Sequence, residues 1–401
     1  MNYLAILGRQ PEISIAELEA QLPNARFSMS HSLNFCYIDT QNDAILDINR
    51  LGGTIKIAVK LSEKPLDFLR NLPEGKITLG VSDYSSHASK KSAATEALKL
   101  KKILVRHGRS VRVIENKTAE LSTATSLHNG LSGNNERKVE LIKVNDNWFK
   151  VIGVQDIDAY SKRDQARPAR DAKVGMLPPK LAQILINLCG PLKENSRILD
   201  PFCGTGVVLQ EALLMGYRAY GTDINDRMVE YTNKNLSWLC DEFQKNSSEG
   251  GPEPGKARIS AGRPWRRAGQ TRPEIEFFEI HQGDATSFQW QSPIDAVACE
   301  GYLGKPMSTV PPEIKLKTEK QECRSIILGF LKNLAKQITP NTPVVIACPA
   351  WLREDGSYSR LEILDEIDNL GYNVNNKSRE GLLYHRESQI VARDIIILRK
   401  K

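Results

Sequence analysis

The sequence predicts an α/β protein whose C-terminal half forms an open, mostly parallel sheet with helices on both faces. Two observations predict this. Residues 197–216 read as a strand, a glycine turn and a helix, which is the opening unit of a nucleotide-binding sheet. Further strands follow, and each ends in a polar loop. Because parallel strands place their carboxyl ends at one edge, these loops are expected to line a common crevice.

The sequence of the glycine turn limits which nucleotide cofactor the sheet is expected to bind. Gly204 and Gly206 permit a tight turn, and residues 207–215 carry a helical apolar pattern that Gly216 closes. Leu209 stands where the dinucleotide fingerprint requires its third glycine. The turn therefore argues against NAD.

Acidic residues follow the predicted strands. Asp200 ends the first strand, and Asp223 ends the second, where a carboxylate would meet the ribose hydroxyls of a ligand. A third strand at 275–280 leads into Gly283-Asp-Ala-Thr286, and a fourth spans 295–302. The acids are expected to face the same crevice.

The loops at these strand ends resemble the motifs of a known family. They read Asp-Pro-Phe-Cys-Gly-Thr-Gly at 200–206, Gly-Thr-Asp-Ile-Asn at 221–225 and Gly-Asp-Ala-Thr at 283–286. This order resembles S-adenosylmethionine-dependent methyltransferases that modify exocyclic amines of nucleic acids. Nearly the whole chain resembles the THUMP-containing tRNA guanine-N2 methyltransferases, which act on the guanine at tRNA position ten. The resemblance implies a Rossmann-like class I methyltransferase sheet of seven strands, preceded by an α+β N-terminal module and a THUMP-like domain.

The resemblance also implies which residues bind S-adenosylmethionine. The loop 200–206 would cradle the methionine part, Asp223 would hold the ribose, and Asp284 would contact the adenine amine. The residues expected to bind the cofactor are Asp200, Pro201, Phe202, Cys203, Gly204, Gly206, Asp223, Ile224, Asp284 and Ala285. No metal is expected, because a sulfonium is already a strong electrophile.

Residues 1–65 are predicted to form the α+β N-terminal module. A strand at 3–7 precedes a helix at 14–22, which Ser14 is expected to cap. Strands at 33–38 and 55–61 follow. The segment contains no catalytic constellation.

Residues 66–160 are predicted to form the THUMP-like RNA-binding domain. The pattern predicts two strand–helix pairs and a hairpin, at 77–81, 92–107, 111–114, 122–131 and 139–154. The segment at 121–128 is the part most similar to THUMP domains, and the resemblance implies that it holds the acceptor end of tRNA. Basic side chains of this segment can pair with phosphates, although a solvated helix face is the alternative for each: Lys90, Lys91, Lys99, Lys101, Lys102, Arg106, Arg109 and Arg112.

A polar linker is predicted at 161–175, and the methyltransferase domain at 176–401. Its remaining elements are predicted at 176–188, 325–338, 343–349, 360–370 and 381–398. A polar insertion at 243–273 carries Arg258, Arg263, Arg266, Arg267 and Arg272. Because helix-to-strand loops lie opposite the crevice, the insertion is not expected to touch the target base. Three alternatives remain open for the insertion. It binds a distal part of the RNA, it binds a partner protein, or it is passive.

The loop after the fourth strand departs from the family pattern. Members of this type carry Asp-Pro-Pro-Tyr, in which the acid accepts a hydrogen bond from the exocyclic amine and the ring stacks on the flipped base. Here the run is Cys299-Glu-Gly-Tyr-Leu-Gly304, and counting from Asp295 without gaps places Glu300 at the acid. Tyr302 then lies one position early. The resemblance makes Glu300 and Tyr302 the candidate catalytic residues. The alternative is that both are structural, Glu300 as an acid at the end of a strand and Tyr302 as a packed tyrosine.

The seven cysteines allow a different chemistry. Cytosine-C5 methyltransferases attack the base with a thiolate, and Cys299 or Cys348 could be placed in that role. Neither residue lies in the sequence context of those families. The absence of any C-x-x-C pair argues against a zinc site and a disulfide framework.

Composition limits the setting of the protein. The 401 residues carry a formal net charge of +7, which permits a polyanionic partner without requiring one. No apolar run reaches membrane-spanning length, and residues 1–8 read as a strand and not as a signal peptide. A reducing, cytoplasmic location is expected.

The sequence thus predicts a cytoplasmic RNA methyltransferase that transfers one or two methyl groups to guanine N2 of a tRNA. One alternative is a methyltransferase for ribosomal RNA or for an exocyclic amine of DNA. Another is a non-catalytic RNA-binding protein that keeps the cofactor fold. The resemblance leaves open a further partner, a small zinc-containing activator protein.

Overall fold

The structure, a computed structural model, describes residues 2–29, 34–40, 47–171, 176–248, 277–375, 378, 381–387 and 389–401, with the backbone alone at 243–248. It divides into two compact units, 1–159 and 160–401. Most of the predicted insertion at 243–273, including Arg258, Arg263, Arg266, Arg267 and Arg272, lies outside the described residues. The interpretation of that insertion stays a prediction.

The first unit is built on one mixed sheet. Its strands are β1 (Asn2–Leu7), β2 (Arg26–Met29), β3 (Phe35–Asp39), β4 (Thr54–Lys60), β5 (Ile77–Asp83), β6 (Val111–Val113), β7 (Lys138–Val144) and β8 (Asn147–Val154). Its helices are α1 (Pro11–Gln21), α2 (Pro65–Arg70), α3 (Lys90–Arg106) and α4 (Thr123–His128). The strand order is β2-β3-β1-β4-β8-β7-β5-β6. Apolar clusters lie on both faces of this sheet.

The two predicted N-terminal segments share this sheet. Strand β4 from the first segment pairs antiparallel with β8 from the second. A buried ion pair joins the same two segments, because Lys56 Nζ lies 2.6 Å from Glu140 Oε1 and the two side chains are 1% and 0% exposed. The boundary predicted at residue 65 therefore falls inside one compact unit.

Ser14 does not cap helix α1, and that prediction is wrong. The helix begins three residues earlier with Pro11, whose missing N–H suits the first helical position. Ser14 therefore lies inside the first turns, where its hydroxyl donates to the carbonyl oxygen of Gly53 at 2.8 Å. The apolar periodicity located the helix, whereas its start was set by the proline.

The second unit contains the predicted parallel sheet. Its strands are β9 (Arg197–Asp200), β10 (Arg218–Asp223), β11 (Phe278–Gln282), β12 (Ala296–Glu300), β13 (Pro343–Leu352), β14 (Tyr358–Ser359), β15 (Tyr372–Val374), β16 (Leu382–Tyr384) and β17 (Val391–Lys400). The main path runs β11-β10-β9-β12-β13-β17-β15, with β14 paired to β13 and β16 to β17. Only β17 runs antiparallel within the main path. The seven-stranded α/β sheet predicted from the sequence is confirmed.

Helices complete the second unit. They are α6 (Pro179–Leu188), α7 (Val207–Leu214), α8 (Asp226–Ser248), α9 (Glu313–Leu334) and α10 (Leu364–Asn369). A further helix, α5 (Ile157–Gln165), begins in the last residues of the first unit and occupies part of the segment predicted as a linker at 161–175. Helix α9 starts 12 residues before the helix predicted at 325–338, since its N-terminal half alternates charges that obscure the apolar period. Its residue Phe330 packs edge-on against Phe202 and Trp290 in the main core.

Candidate functional site

Three carboxylates lie at the carboxyl ends of neighbouring parallel strands. Asp200 ends β9, Asp223 ends β10 and Glu300 ends β12. Strand β9 lies between the other two, so Asp200 is the central acid. The charges of Asp223 and Glu300 both act on Asp200 and favour its neutral form. The sheet therefore brings together the acids that the sequence placed in separate motifs.

The turn after β9 is held by its two glycines. Gly204 and Gly206 have φ values of +51° and +81°, in the left-handed region that favours glycine. A Cβ atom on Gly206 would lie 2.9 Å from Cγ2 of Thr232, whose hydroxyl donates to the carbonyl oxygen of Gly204 at 2.8 Å. The turn thus packs directly on helix α8. Pro201 lies in the same turn, and its carbonyl oxygen accepts the hydroxyl of Thr222 at 3.3 Å.

Asp200 is almost fully buried, with 2% of its surface exposed. Burial raises the pKa of its carboxyl well above the ordinary value. The backbone N–H of Phe202 donates to Asp200 Oδ1 at 3.1 Å and opposes the shift. A buried acid beside other acids gains a strong interaction from a ligand that brings positive charge.

Asp223 links the two neighbouring loops. Its Oδ2 accepts the N–H of Gly204 at 2.9 Å, and its Oδ1 accepts the N–H of Asn225 at 3.0 Å. Burial raises the pKa of the Asp223 carboxyl. Each carboxylate oxygen offers two lone-pair sites, so both can still accept a hydroxyl. The next residue, Ile224, is 68% exposed and offers an apolar surface beside the acid.

Asp284 and Ala285 follow strand β11 at the same edge. Asp284 is exposed, and its Oδ1 accepts both the N–H and the hydroxyl of Thr286 at 2.8 Å. Within the part of the chain that the structure describes, Asp284 Oδ2 accepts no hydrogen bond. Ala285 is buried, and its carbonyl oxygen accepts the Asn333 side chain at 3.1 Å. The loop therefore keeps one rigid, open carboxylate oxygen.

Glu300 is paired with an arginine that the sequence reasoning missed. Arg393 Nε donates to Glu300 Oε1 at 2.8 Å, and the two side chains are 8% and 20% exposed. Arg393 lies in β17, two strands away from β12 in the sheet. The signal available in the sequence was a charged Arg393-Asp394 pair interrupting an apolar strand.

Tyr302 is attached to helix α9. Its hydroxyl donates to Glu322 Oε1 at 3.0 Å. Partial burial, and then the contact with Glu322, raise the pKa of Tyr302 to about 12. The ring packs at the margin of the main core. Gly301, which precedes it, is fixed by an N–H bond to the carbonyl oxygen of Ala347 at 2.9 Å.

The cysteines do not offer a nucleophile. Cys203 and Cys299 are 4% and 0% exposed, and burial raises the pKa of both thiols well above the ordinary value. The same holds for Cys348, which is 1% exposed. A neutral thiol cannot attack a cytosine ring, so the structure disfavours the cytosine-C5 alternative. Among the described residues, no group of three or more His, Cys, Asp and Glu side chains could hold a metal ion.

Comparison with known proteins identifies relatives of this chain. A model of the RMKL-like methyltransferase domain matches residues 167–248. The tRNA (guanine(10)-N2)-dimethyltransferase of Methanothermobacter thermautotrophicus is 32% identical over 59% of this chain and 68% of its own length. The enzyme of the same name from Pyrococcus abyssi is 29% identical over 59% of this chain and 68% of its own length. Among solved structures, TrmN from Thermus thermophilus matches the full length of both chains with 14% identity and a TM-score of 0.46.

Within the residues described, no helix is long and apolar enough to cross a bilayer.

Proposed function

This chain belongs to the tRNA (guanine(10)-N2)-dimethyltransferase family, and we propose that it transfers methyl groups from S-adenosylmethionine to the exocyclic N2 of the guanine at tRNA position ten. The observation that carries the proposal is the position of Glu300. It ends β12 beside the cofactor loop, and its charge acts on Asp200. A proton acceptor for an amine therefore lies at the edge of the proposed cofactor crevice.

The crevice fits the charges and donors of S-adenosylmethionine. The cofactor carries a sulfonium and an ammonium group, which suit the three clustered carboxylates. In the proposal, the loop from Asp200 to Gly206 surrounds the methionine part, and Asp223 accepts the ribose hydroxyls. Exposed Ile224 covers a face of the adenine, and Asp284 accepts its amine through Oδ2.

Glu300 acts on the amine that becomes methylated. The bound cofactor supplies a methyl group that is already activated on sulfur. Glu300 accepts an N–H of guanine N2 and turns the nitrogen lone pair towards that methyl. As the new N–C bond forms and the S–C bond breaks, the amine loses one proton to Glu300. A second transfer repeats the step on the monomethylated amine. Tyr302 is proposed to stack on the base beside it.

The first unit is proposed to bind the tRNA. Exposed lysines and arginines of α3, including Lys91, Lys99 and Lys102, suit a phosphate backbone. The THUMP-like character of this unit and a cytoplasmic location remain parts of the proposal. A small zinc-containing activator protein stays a prediction that no observation on this chain supports.

Methyl transfer to unmodified tRNA tests the proposal. Label from S-adenosylmethionine should appear in N2-methylguanosine and N2,N2-dimethylguanosine after nuclease digestion, and at position ten by fragment mapping. Glu300→Gln should lower kcat by about 100-fold or more, because the amide accepts the N–H weakly and takes up no proton. Ribosomal RNA and DNA serve as competing substrates.

Glu366→Gln is the matched control. Glu366 pairs with Arg324 on the surface of helix α10, and both side chains are more than 40% exposed. Its substitution should leave kcat unchanged. No label in any guanosine of tRNA, by protein that binds both cofactor and tRNA, would contradict the proposal.

A further inference from the structure

Glu300 replaces an acid that is one methylene shorter in the family motif. A glutamate has an additional rotatable bond, so its carboxylate samples more positions than an aspartate at the same strand end. Methyl transfer depends on placing the acceptor and the reacting atoms within a fraction of an ångström. A functional glutamate at this position therefore needs a restraint that an aspartate would not.

The structure provides that restraint from β17. Arg393 Nε donates to Glu300 Oε1 at 2.8 Å, and Arg393 is itself 6% exposed. A second donor of the same guanidinium, Nη1, lies 3.4 Å from the carbonyl oxygen of Val391. The guanidinium is thus held by its own strand while it holds the acid.

One oxygen of Glu300 remains available. Among the described residues, the bond from Arg393 engages Oε1, and Oε2 accepts none. The acid faces solvent on one side, with its side chain 20% exposed. A carboxylate with one oxygen anchored and the other open can accept an amine N–H in a single orientation.

We propose that Arg393 is a positioning residue, which anchors one oxygen of Glu300 and leaves the other as the acceptor for the exocyclic amine. This inference rests on the proposed function. The Glu300–Arg393 pair then replaces the shorter acid of the family motif as one unit. Arg393 itself does not contact the substrate, so its effect is transmitted through Glu300 alone.

A double-mutant cycle tests this assignment with the full-length protein, tRNA and S-adenosylmethionine. Arg393→Met should lower kcat by about 10- to 100-fold while the Kd for cofactor changes less than twofold. In a Glu300→Gln background, the same substitution should lower kcat by less than twofold, because no carboxylate remains to be positioned. Equal losses in both backgrounds would overturn the inference.

The conservative variant separates positioning from structural support. Arg393→Lys keeps the charge but not the planar geometry of the guanidinium, so kcat should fall while the KM for tRNA and the Kd for cofactor stay within twofold of the wild type. A wild-type kcat in Arg393→Lys, or a loss confined to KM, would contradict the assignment.

Arg399→Met is the matched control on the same strand. Arg399 donates to the carbonyl oxygens of Asn341 and Cys189, away from Glu300, and its substitution should leave kcat unchanged. Should Arg393→Met fail to bind cofactor, Arg393→Lys with Glu300→Gln completes the cycle. If the wild type methylates no tRNA, the proposed function fails. If it does and the cycle is additive, only the role of Arg393 fails.

Discussion

Asp200 combines near-complete burial with a position between two other acids, so its protonation state should govern cofactor affinity. Burial first, and then the charges of Asp223 and Glu300, raise the pKa of the Asp200 carboxyl well above the ordinary value of 3.8. The neutral form of Asp200 therefore persists to higher pH than that of an exposed carboxyl. Binding of a cationic ligand requires the ionised form, and the bound proton must then be released.

We predict that the affinity for S-adenosylmethionine falls as pH decreases through this raised pKa. Below the pKa the Kd should rise by up to about tenfold per pH unit, as expected for release of one proton. Calorimetric titration in buffers of different ionisation enthalpy, between pH 5 and 8, measures both the Kd and the proton count.

Asp200→Asn is the companion variant of that titration. It should bind the cofactor more weakly at pH 8 and show a flatter dependence on pH. Asp355→Asn, on an exposed turn, should leave the profile unchanged. A Kd that follows pH equally in Asp200→Asn and the wild type would contradict a role for this carboxyl.

Single residues of the site differ in how far the sequence revealed them. Asp200 and Asp223 were placed correctly at strand ends, because each directly follows a local strand pattern. Arg393 was not recognised, since its partner Glu300 lies 93 residues earlier in the chain. No local pattern encodes a contact between β12 and the antiparallel strand β17, and such pairs emerge only from the sheet order.

At the scale of elements, helix α7 depends on the glycine that precedes it. Gly206 occupies the N-cap with φ of +81°, and a Cβ would meet Thr232 at 2.9 Å. We predict that Gly206→Ala lowers the free energy of unfolding by about 1–3 kcal/mol, from backbone strain and crowding against α8. Chemical denaturation measures the loss, and cofactor affinity should fall with it, because the turn forms the proposed methionine cradle.

A substitution at Gly216 separates the contribution of backbone strain from that of crowding against α8. It ends the same helix with φ of +82°, but a Cβ there would meet no atom within 4 Å. Gly216→Ala should therefore show the backbone strain alone, about 1–2 kcal/mol, with an unchanged Kd for cofactor. An equal Kd in the two variants would show that the cradle tolerates the displacement of Thr232.

The elements also show where the hydrophobic pattern of the sequence is enough to predict a strand or a helix. Strands β9, β10, β12 and β13 were predicted within a few residues, because their buried apolar residues stand between polar loops. Strand β2 was missed, since it is only four residues long and mostly exposed. Helix α5 was taken for a linker, because polar residues dominate it and only Tyr160 and Arg163 are buried.

At the scale of the molecule, the predicted N-terminal module and the predicted THUMP-like segment are joined within the first unit of the structure. Lys56 from the predicted module donates to Glu140, to Ser126 and to the carbonyl oxygen of Leu121, all in the predicted THUMP-like segment. Each donor of this buried ammonium is satisfied, which is the condition under which a buried ion pair is tolerated. Segment-by-segment patterns cannot detect such a network, because its members lie 65 to 84 residues apart.

The whole-molecule proposal assigns tRNA affinity to the first unit and chemistry to the second, and α3 allows the two to be separated. Lys99, Lys102 and Arg106 are exposed and lie three to four residues apart, so they share one face of the helix. We predict that the triple alanine variant raises the KM for tRNA and lowers the slope of log K against log salt by about one per lost phosphate contact, with kcat at saturating tRNA unchanged. Lys193→Ala is the control, because Lys193 precedes β9 at the edge opposite the crevice. A fall in kcat with an unchanged salt slope would assign the helix to the fold of the unit and not to the RNA.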